Sequence, residues 1–247
     1  MKKMFISGIL VLAASFATAQ DQDQPQSLRH FTKIVASPHI NVVLQKGDRE
    51  SIRLVCNNIS PEKVNVRVTG KRLRIYLDHA QVVERQERIF RNHLPEMRGI
   101  YQNVSVTAYV TYRELKDIEV RGNQELVCDD EISSSKLKLR AYGETDIQLA
   151  KVNTNKFKAS LYGENKLKIK SGGVGHQVYR LFGENRIDTR GLKSESASTR
   201  IYGEGKLSLS VSDRFDITAF GEPEINVSGS PNINKGIVIG HADIRRQ

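Results

Sequence analysis

One short pattern recurs five times in the C-terminal half of the chain: Arg140-Ala-Tyr-Gly-Glu144, Ser160-Leu-Tyr-Gly-Glu164, Arg180-Leu-Phe-Gly-Glu184, Arg200-Ile-Tyr-Gly-Glu204 and Thr218-Ala-Phe-Gly-Glu222. Its glycines, at 143, 163, 183, 203 and 221, advance by 20, 20, 20 and 18 residues. Weaker copies at Val120-Arg-Gly122 and Ile239-Gly240 extend the series, so seven of the 18 glycines stand on one ladder. A fixed step of this size is the mark of a repeat architecture. A β-propeller is excluded, because a blade takes about 40 residues or more.

Between glycines the apolar residues alternate with a period of two. Leu137, Leu139 and Ala141 interleave with Lys136, Lys138 and Arg140, and Ile147 and Leu149 carry the apolar face past the glycine. Each unit reads as two short strands with a glycine at the bend, where a positive φ or a close backbone approach disfavours any residue with a Cβ. An antiparallel meander would place its turns at alternate ends and favour Asn-Gly or Asp-Gly there. Identical side chains at a fixed step instead predict in-register parallel stacking. The fold expected is all-β, a right-handed parallel β-helix with coils of about 20 residues stacked about 4.8 Å apart, and about ten coils in all.

The N-terminal half has the same chemistry with less regularity. Phe31-Thr-Lys-Ile-Val35, Ile40-Asn-Val-Val-Leu44, Ser51-Ile-Arg-Leu-Val55, Val64-Asn-Val-Arg-Val68 and Leu73-Arg-Ile-Tyr-Leu77 read as strands, with Gly47 and Gly70 at turns. Terminal repeats of a solenoid are atypical because they close its core. Residues 81–99, rich in Arg and Glu, read as an excursion with one or two helical turns before Val104–Val110 resumes strand character. The expected domain spans 28–247 as a single unit.

Lys2 and Lys3 precede an apolar run from Met4 to Ala14, and Ala17-Thr-Ala19 precedes a polar stretch. This order predicts a cleaved secretory signal peptide over residues 1–19, followed by a disordered leader over 20–27. The run is too short to span a membrane, and no second one follows it, so no membrane span is expected after cleavage. Loss of the two lysines lowers the net charge from +10 to +8. The chain stays basic, but in an exported protein with cations spread along strands nucleic acid is not the expected partner. Anionic glycans or lipid head groups are the partners such charge can serve outside a cell. The expected location is the periplasm, the cell surface or the extracellular space. Cys56 and Cys128 are the only cysteines. An exported chain permits one disulfide between them, and two free buried thiols fit equally.

Phe31-Thr-Lys-Ile34 with Gln45-Lys-Gly-Asp48, the Gly70 to Leu77 strand, and the Gly-polar-polar-apolar repeats closing on Gly240-His-Ala-Asp-Ile244 together resemble the putative auto-transporter adhesin head domain, the GIN family. The resemblance covers about residues 28–247. It implies an exported bacterial β-helix with an adhesin-like role at the cell surface and brings no catalytic residues with it. Where that family commonly has Ser-Gly at the bend, this chain has Tyr-Gly or Phe-Gly with Glu after it.

Stacking places Tyr142, Tyr162, Phe182, Tyr202 and Phe220 in one column. Strand parity puts the column outside with Arg140, Arg180 and Arg200, where an aromatic stripe could stack on sugar rings. The glycine bend leaves an inward stack filling a corner as the alternative. Beside it runs a row of Glu144, Glu164, Glu184, Glu204 and Glu222. Neighbouring carboxylates about 4.8 Å apart repel by about 0.9 kcal/mol in water and about 3.5 kcal/mol at an effective dielectric of 20. Lys166, Arg186 and Lys206 beyond the glutamates, or the three arginines across the bend, are the expected offset. Ca²⁺ is the cation such a row could hold instead, although no calcium-binding nonapeptide is present and no metal is assigned. Six scattered histidines, no zinc signature and no nucleophile elbow argue against an enzyme. The expected function is a non-enzymatic, surface or secreted binding module for glycan or envelope components. A polysaccharide lyase or glycosidase on the same fold, and a structural spacer without ligand, are the alternatives.

Overall fold

The computed structural model describes residues 24–91 and 94–247, so the expected signal peptide and the start of the leader lie outside the described residues. The chain forms β1 (Gln26–Ser27), β2 (Lys33–Ala36), β3 (Ile40–Lys46), β4 (Ser51–Asn57), β5 (Val64–Thr69), β6 (Arg72–Leu77), the pair β7 (Gln86–Arg91) and β8 (Leu94–Gly99), β9 (Ser105–Tyr112) and β10 (Asp117–Gly122). Five long strands follow, β11 (Glu125–Gly143), β12 (Asp146–Gly163), β13 (Lys166–Phe182), β14 (Asn185–Tyr202) and β15 (Gly205–Gly221). Then come β16 (Pro223–Ser228), β17 (Asn232–Gly240) and β18 (Asp243–Arg246). From β10 onward every pairing is parallel, and the coils stack into a β-solenoid of about 6 turns.

A repeat is one long bent strand rather than the two short strands expected. In β12 the buried positions are Ile147 and Leu149, then Val152 and Thr154, then Phe157, Ala159 and Leu161. Their parity changes twice, after Leu149 and after Thr154. Because alternate residues of a strand point to opposite faces, each change marks a corner that turns the chain and keeps its apolar side inward. With the bend at Gly163, the coil has three sides around a core of Leu137, Phe157, Ala197 and Phe215 on one face and Ile147, Leu167, Ile187 and Leu207 on another.

The first coils stack out of sequence order. β2 lies between β10 and β6, and β3 between β11 and β9, all parallel. The coil made of β6 and β9 is therefore slipped beneath the earlier coil of β2 and β3. β5 covers the outer edge of β6, and β4 that of β9, both antiparallel, and β1 pairs antiparallel with β4. Antiparallel strands over the terminal coil hide a row of backbone donors and acceptors that would otherwise recruit another chain. These strands form a cap, which is why the turns number fewer than the ten expected. The end of the expected disordered leader, Gln26–Ser27, belongs to that cap.

The excursion at 81–99 is an antiparallel hairpin and not helical. Opposite charges face each other at Glu87 and Arg98, and Arg88 lies opposite Met97. Cross-strand pairs of this kind support a ribbon more than the helical spacing of its charges supports a helix. Its base is fixed by Glu84, whose carboxylate lies 2.9 Å from His39 Nε2 and accepts the Tyr101 backbone N–H.

Cys56 and Cys128 are both free thiols. Cys56 lies on β4 and Cys128 on β11, with β9 and β3 between them. Three strand spacings amount to about 14 Å, twice the reach of a disulfide. The buried Cys128 thiol sits 3.5 Å from the Tyr112 hydroxyl. Burial raises the pKa of both thiols.

Registers Gly122↔Gly143 and Gly143↔Gly163 put each bend glycine directly on the previous one. Gly183 has a φ of +90°, and a Cβ there would stand 2.7 Å from the Gly163 carbonyl oxygen. Gly183→Ala should lower the stability of the folded chain by at least about 1–3 kcal/mol, the cost of the backbone conformation alone. Urea unfolding followed by circular dichroism measures it, and an unchanged midpoint would contradict a close-packed bend.

Candidate binding face of the solenoid

The residues that end each long strand before its glycine form the face with the most unusual chemistry. Leu139 and Ala141 point into the core, so Lys138, Arg140 and Tyr142 point out. The register brings Tyr142, Tyr162, Phe182, Tyr202 and Phe220 side by side. Of the two arrangements open from the sequence, the column is outside, with Tyr162 and Tyr202 36% and 38% exposed.

The rings nevertheless do not offer open faces. Successive centroids are 5.0, 4.8, 4.8 and 4.9 Å apart with interplanar angles of 5°, 7°, 5° and 1°, so each ring lies on its neighbour. Each contact contributes about 0.5–1.5 kcal/mol beyond area burial. At the N-terminal end the Arg121 guanidinium lies 4.8 Å from the Tyr142 ring centroid, and Arg121 is held by Glu119 at 2.8 Å. The spacing of the repeat could not reveal this cation–π cap, because Val120-Arg-Gly122 lacks the aromatic of the later copies. What the column presents to solvent is ring edges and tyrosine hydroxyls. An open groove of about 730 Å³ adjoins the capped end, where His39, Glu84, Arg121, Gln124 and Tyr142 come together.

Cations border the column on the same sheet. Lys136 lies beside Lys156, Lys138 beside Lys158, and Arg180 beside Arg200. Asp117 and Glu119 bind Arg140 at 2.8 and 3.0 Å at one end, and Asp216 binds Arg214 at the other. Among the described residues, no carboxylate pairs with the six central cations. Burial lowers the pKa of Lys158, and Arg180, Lys138, Lys136 and Lys156 lower it further. Burial and Lys156 likewise lower that of His176, so its imidazole adds no full charge at neutral pH.

Across the bend, Glu144, Glu164, Glu184, Glu204 and Glu222 are all exposed. The expected local offset is not what forms. Arg140 turns to Asp117 and Glu119, and Lys206 binds Glu224 of the next coil at 2.8 Å rather than Glu204. Water screens the row instead, which is the cheaper solution for exposed charges. Among the described residues, no three His, Cys, Asp or Glu side chains come together as a metal site.

Beneath the row runs a buried polar ladder that the sequence reading overlooked. The Thr145 hydroxyl donates to Asn165 Oδ1 at 2.7 Å, Asn165 Nδ2 to Asn185 Oδ1 at 3.0 Å, and Asn185 Nδ2 to the Phe182 carbonyl at 3.2 Å. Its signal was present, a polar amide or hydroxyl directly after each of the first three glutamates. Deeper still, Tyr179 donates to Gln177 Oε1 at 2.5 Å and shares a 2.8 Å bond with Thr189. Such closed networks cost little to bury because every member has a partner.

Residues 30–231 match the family described as "Putative auto-transporter adhesin, head GIN domain". No curated protein matches. Among solved structures, a putative adhesin from Parabacteroides merdae ATCC 43184 is 15% identical with a TM-score of 0.65, over 91% of this chain and 95% of that one. A putative adhesin from Bacteroides fragilis NCTC 9343 is 16% identical with a TM-score of 0.64, over the same shares. A structure named a putative lipid binding protein, from Parabacteroides distasonis ATCC 8503, is 14% identical with a TM-score of 0.56, over 91% of this chain and 96% of that one. Likeness at such identity concerns the fold alone, so the face must be tested on this chain. Phe182→Ala removes the middle ring and both its stacks and should cost about 1–3 kcal/mol by urea unfolding. A loss no greater than at an isolated exposed residue would mean that the stack contributes nothing.

Proposed function

Because the chain belongs to the family of the putative auto-transporter adhesin head GIN domain, we propose that it is a non-enzymatic, exported binding module that engages a glycan of a cell surface or envelope through its repetitive face. The observation that carries this reading is the outward column of five rings at coil spacing, held rigid by stacking and bordered by cations. A ligand meeting it finds pre-positioned hydroxyls and ring edges at regular intervals, so little ordering entropy is lost on binding. A repeating ligand is the natural complement of a repeating face. Hydrolysis or elimination on a polysaccharide calls for one local group of acids or a base in a groove. Here the repeated glutamates are spread as an exposed row, and Glu84 in the groove at the capped end is engaged by His39 and the Tyr101 N–H, which favours binding over turnover. Along the ring column the faces are taken up by stacking, and the exposed apolar side chain that continues it, Ile239 in register with Phe220, stands at its C-terminal end; the column itself favours a polar ligand over the lipid suggested by one neighbour's name. Among the described residues, no helix is long and apolar enough to cross a membrane.

Tyr162→Phe with Tyr202→Phe keeps the rings stacked and removes two hydroxyls. On a glycan array the pair should weaken binding about thirtyfold, about 1 kcal/mol for each lost hydrogen bond. Absence of binding to any glycan, or full binding by the double variant, would sink the reading. No cofactor is part of it: the melting temperature should stay put in EDTA and in millimolar Ca²⁺. A clear rise with Ca²⁺ would turn the glutamate row into a cation ladder.

A further inference from the structure

Among the described residues, the six central cations gain no ion pair within the fold. Like charges directly opposite on adjacent strands are destabilising. Lys136 faces Lys156, Lys138 faces Lys158, and Arg180 faces Arg200, so the face repeats this unfavourable arrangement three times. At both ends of the same face the chain does supply acids, Asp117 and Glu119 for Arg140 and Asp216 for Arg214. Between these ends, among the described residues, no carboxylate forms an ion pair with the six, and Asp117, the register neighbour of Lys138, is engaged by Arg140.

We propose that this stretch binds a polyanionic polysaccharide, a chain bearing carboxylate or sulfate groups, laid along the solenoid axis with its charges on Lys136, Lys138, Lys156, Lys158, Arg180 and Arg200 and its sugar hydroxyls on the neighbouring tyrosines. The assignment rests on the glycan reading above and narrows it to one charge class. Repulsion among the cations is relieved when anions arrive, so the term that weakens the free protein strengthens the complex. The cations recur from coil to coil, matching a polymer better than a single anionic group. A single-stranded nucleic acid would need open aromatic faces for its bases, and here those faces are taken up by the stack. An anionic bilayer would need large apolar side chains free to insert, and on this stretch the outward ones are the half-buried Val178, in register with Lys158, and rings already stacked on one another.

The experiment compares the full chain on immobilised polygalacturonate, heparin, a neutral glucan, vesicles of phosphatidylglycerol with phosphatidylcholine, and oligothymidylate. Lys138→Gln with Lys158→Gln and Arg180→Gln forms the test variant. Lys166→Gln with Lys168→Gln and Arg186→Gln removes the same charge from the face across the bend. Circular dichroism checks that both fold. The expected result is binding to one or both acidic polysaccharides that falls with salt, lost at least tenfold in the test variant and little changed in the control. Equal loss in both variants would overturn the assignment to this face. Binding to the neutral glucan alone, indifferent to the lysines, would overturn the charge class and leave the glycan reading standing. Binding only to vesicles or oligothymidylate would overturn both.

Discussion

The close approach of one bend glycine to the carbonyl of the glycine before it underlies the rest of this architecture. At Gly183 a methyl group would stand 2.7 Å from the oxygen of Gly163. Glu164 N–H donates to the Gly143 carbonyl at 2.9 Å, and Gly203 N–H to the Phe220 carbonyl at 2.9 Å, so the bends are tied together by backbone bonds as well as by contact. A coil that must return to the same bend every 20 residues cannot drift in register. In-register stacking then follows for everything nearby: aromatics fall on aromatics, glutamates on glutamates and amides on amides.

The same constraint has opposite consequences on different sides of the chain. Stacking like on like stabilises the rings and the Thr145, Asn165 and Asn185 ladder, since a ring or an amide is a good partner for its own kind. For charges it is unfavourable. The glutamate row lies fully in water, where screening makes the repulsion small. The lysines and arginines beside the rings are partly buried at Lys138 and Lys158, where screening is weaker. A regular solenoid thus stacks like charge on like charge, as Lys138 on Lys158 and Arg180 on Arg200.

Much of the parallel stack was legible in the sequence because its cause is local: a glycine at a fixed step and alternation with period two. The two extra corners of each coil were also written there, as the parity change between Leu149 and Val152 and again before Phe157, but two phase shifts within 20 residues blur the alternation that reveals them. The N-terminal order was not legible. β6 and β9 carry no bend glycine pattern to mark their place, and a strand's own residues do not say which of several similar edges it will join. The hairpin at 81–99 had charges at spacings compatible with a helix, and only pairing across the turn decided between the two.

By itself the sequence determined the period, the parallel stacking and the membership of each column, because these depend on residue identity at fixed steps. Only the tertiary structure decided which way the column faces, that its rings lie on one another instead of standing open, that Arg121 closes its end, and which cations have no acid within reach. Those outcomes depend on distances between residues about 20 apart in sequence and adjacent in space, where a fraction of an ångström separates an ion pair from a free charge. The thiols make the same point. Cys56 and Cys128 could be counted in the sequence, but three strands had to be laid between them before their pairing could be dismissed.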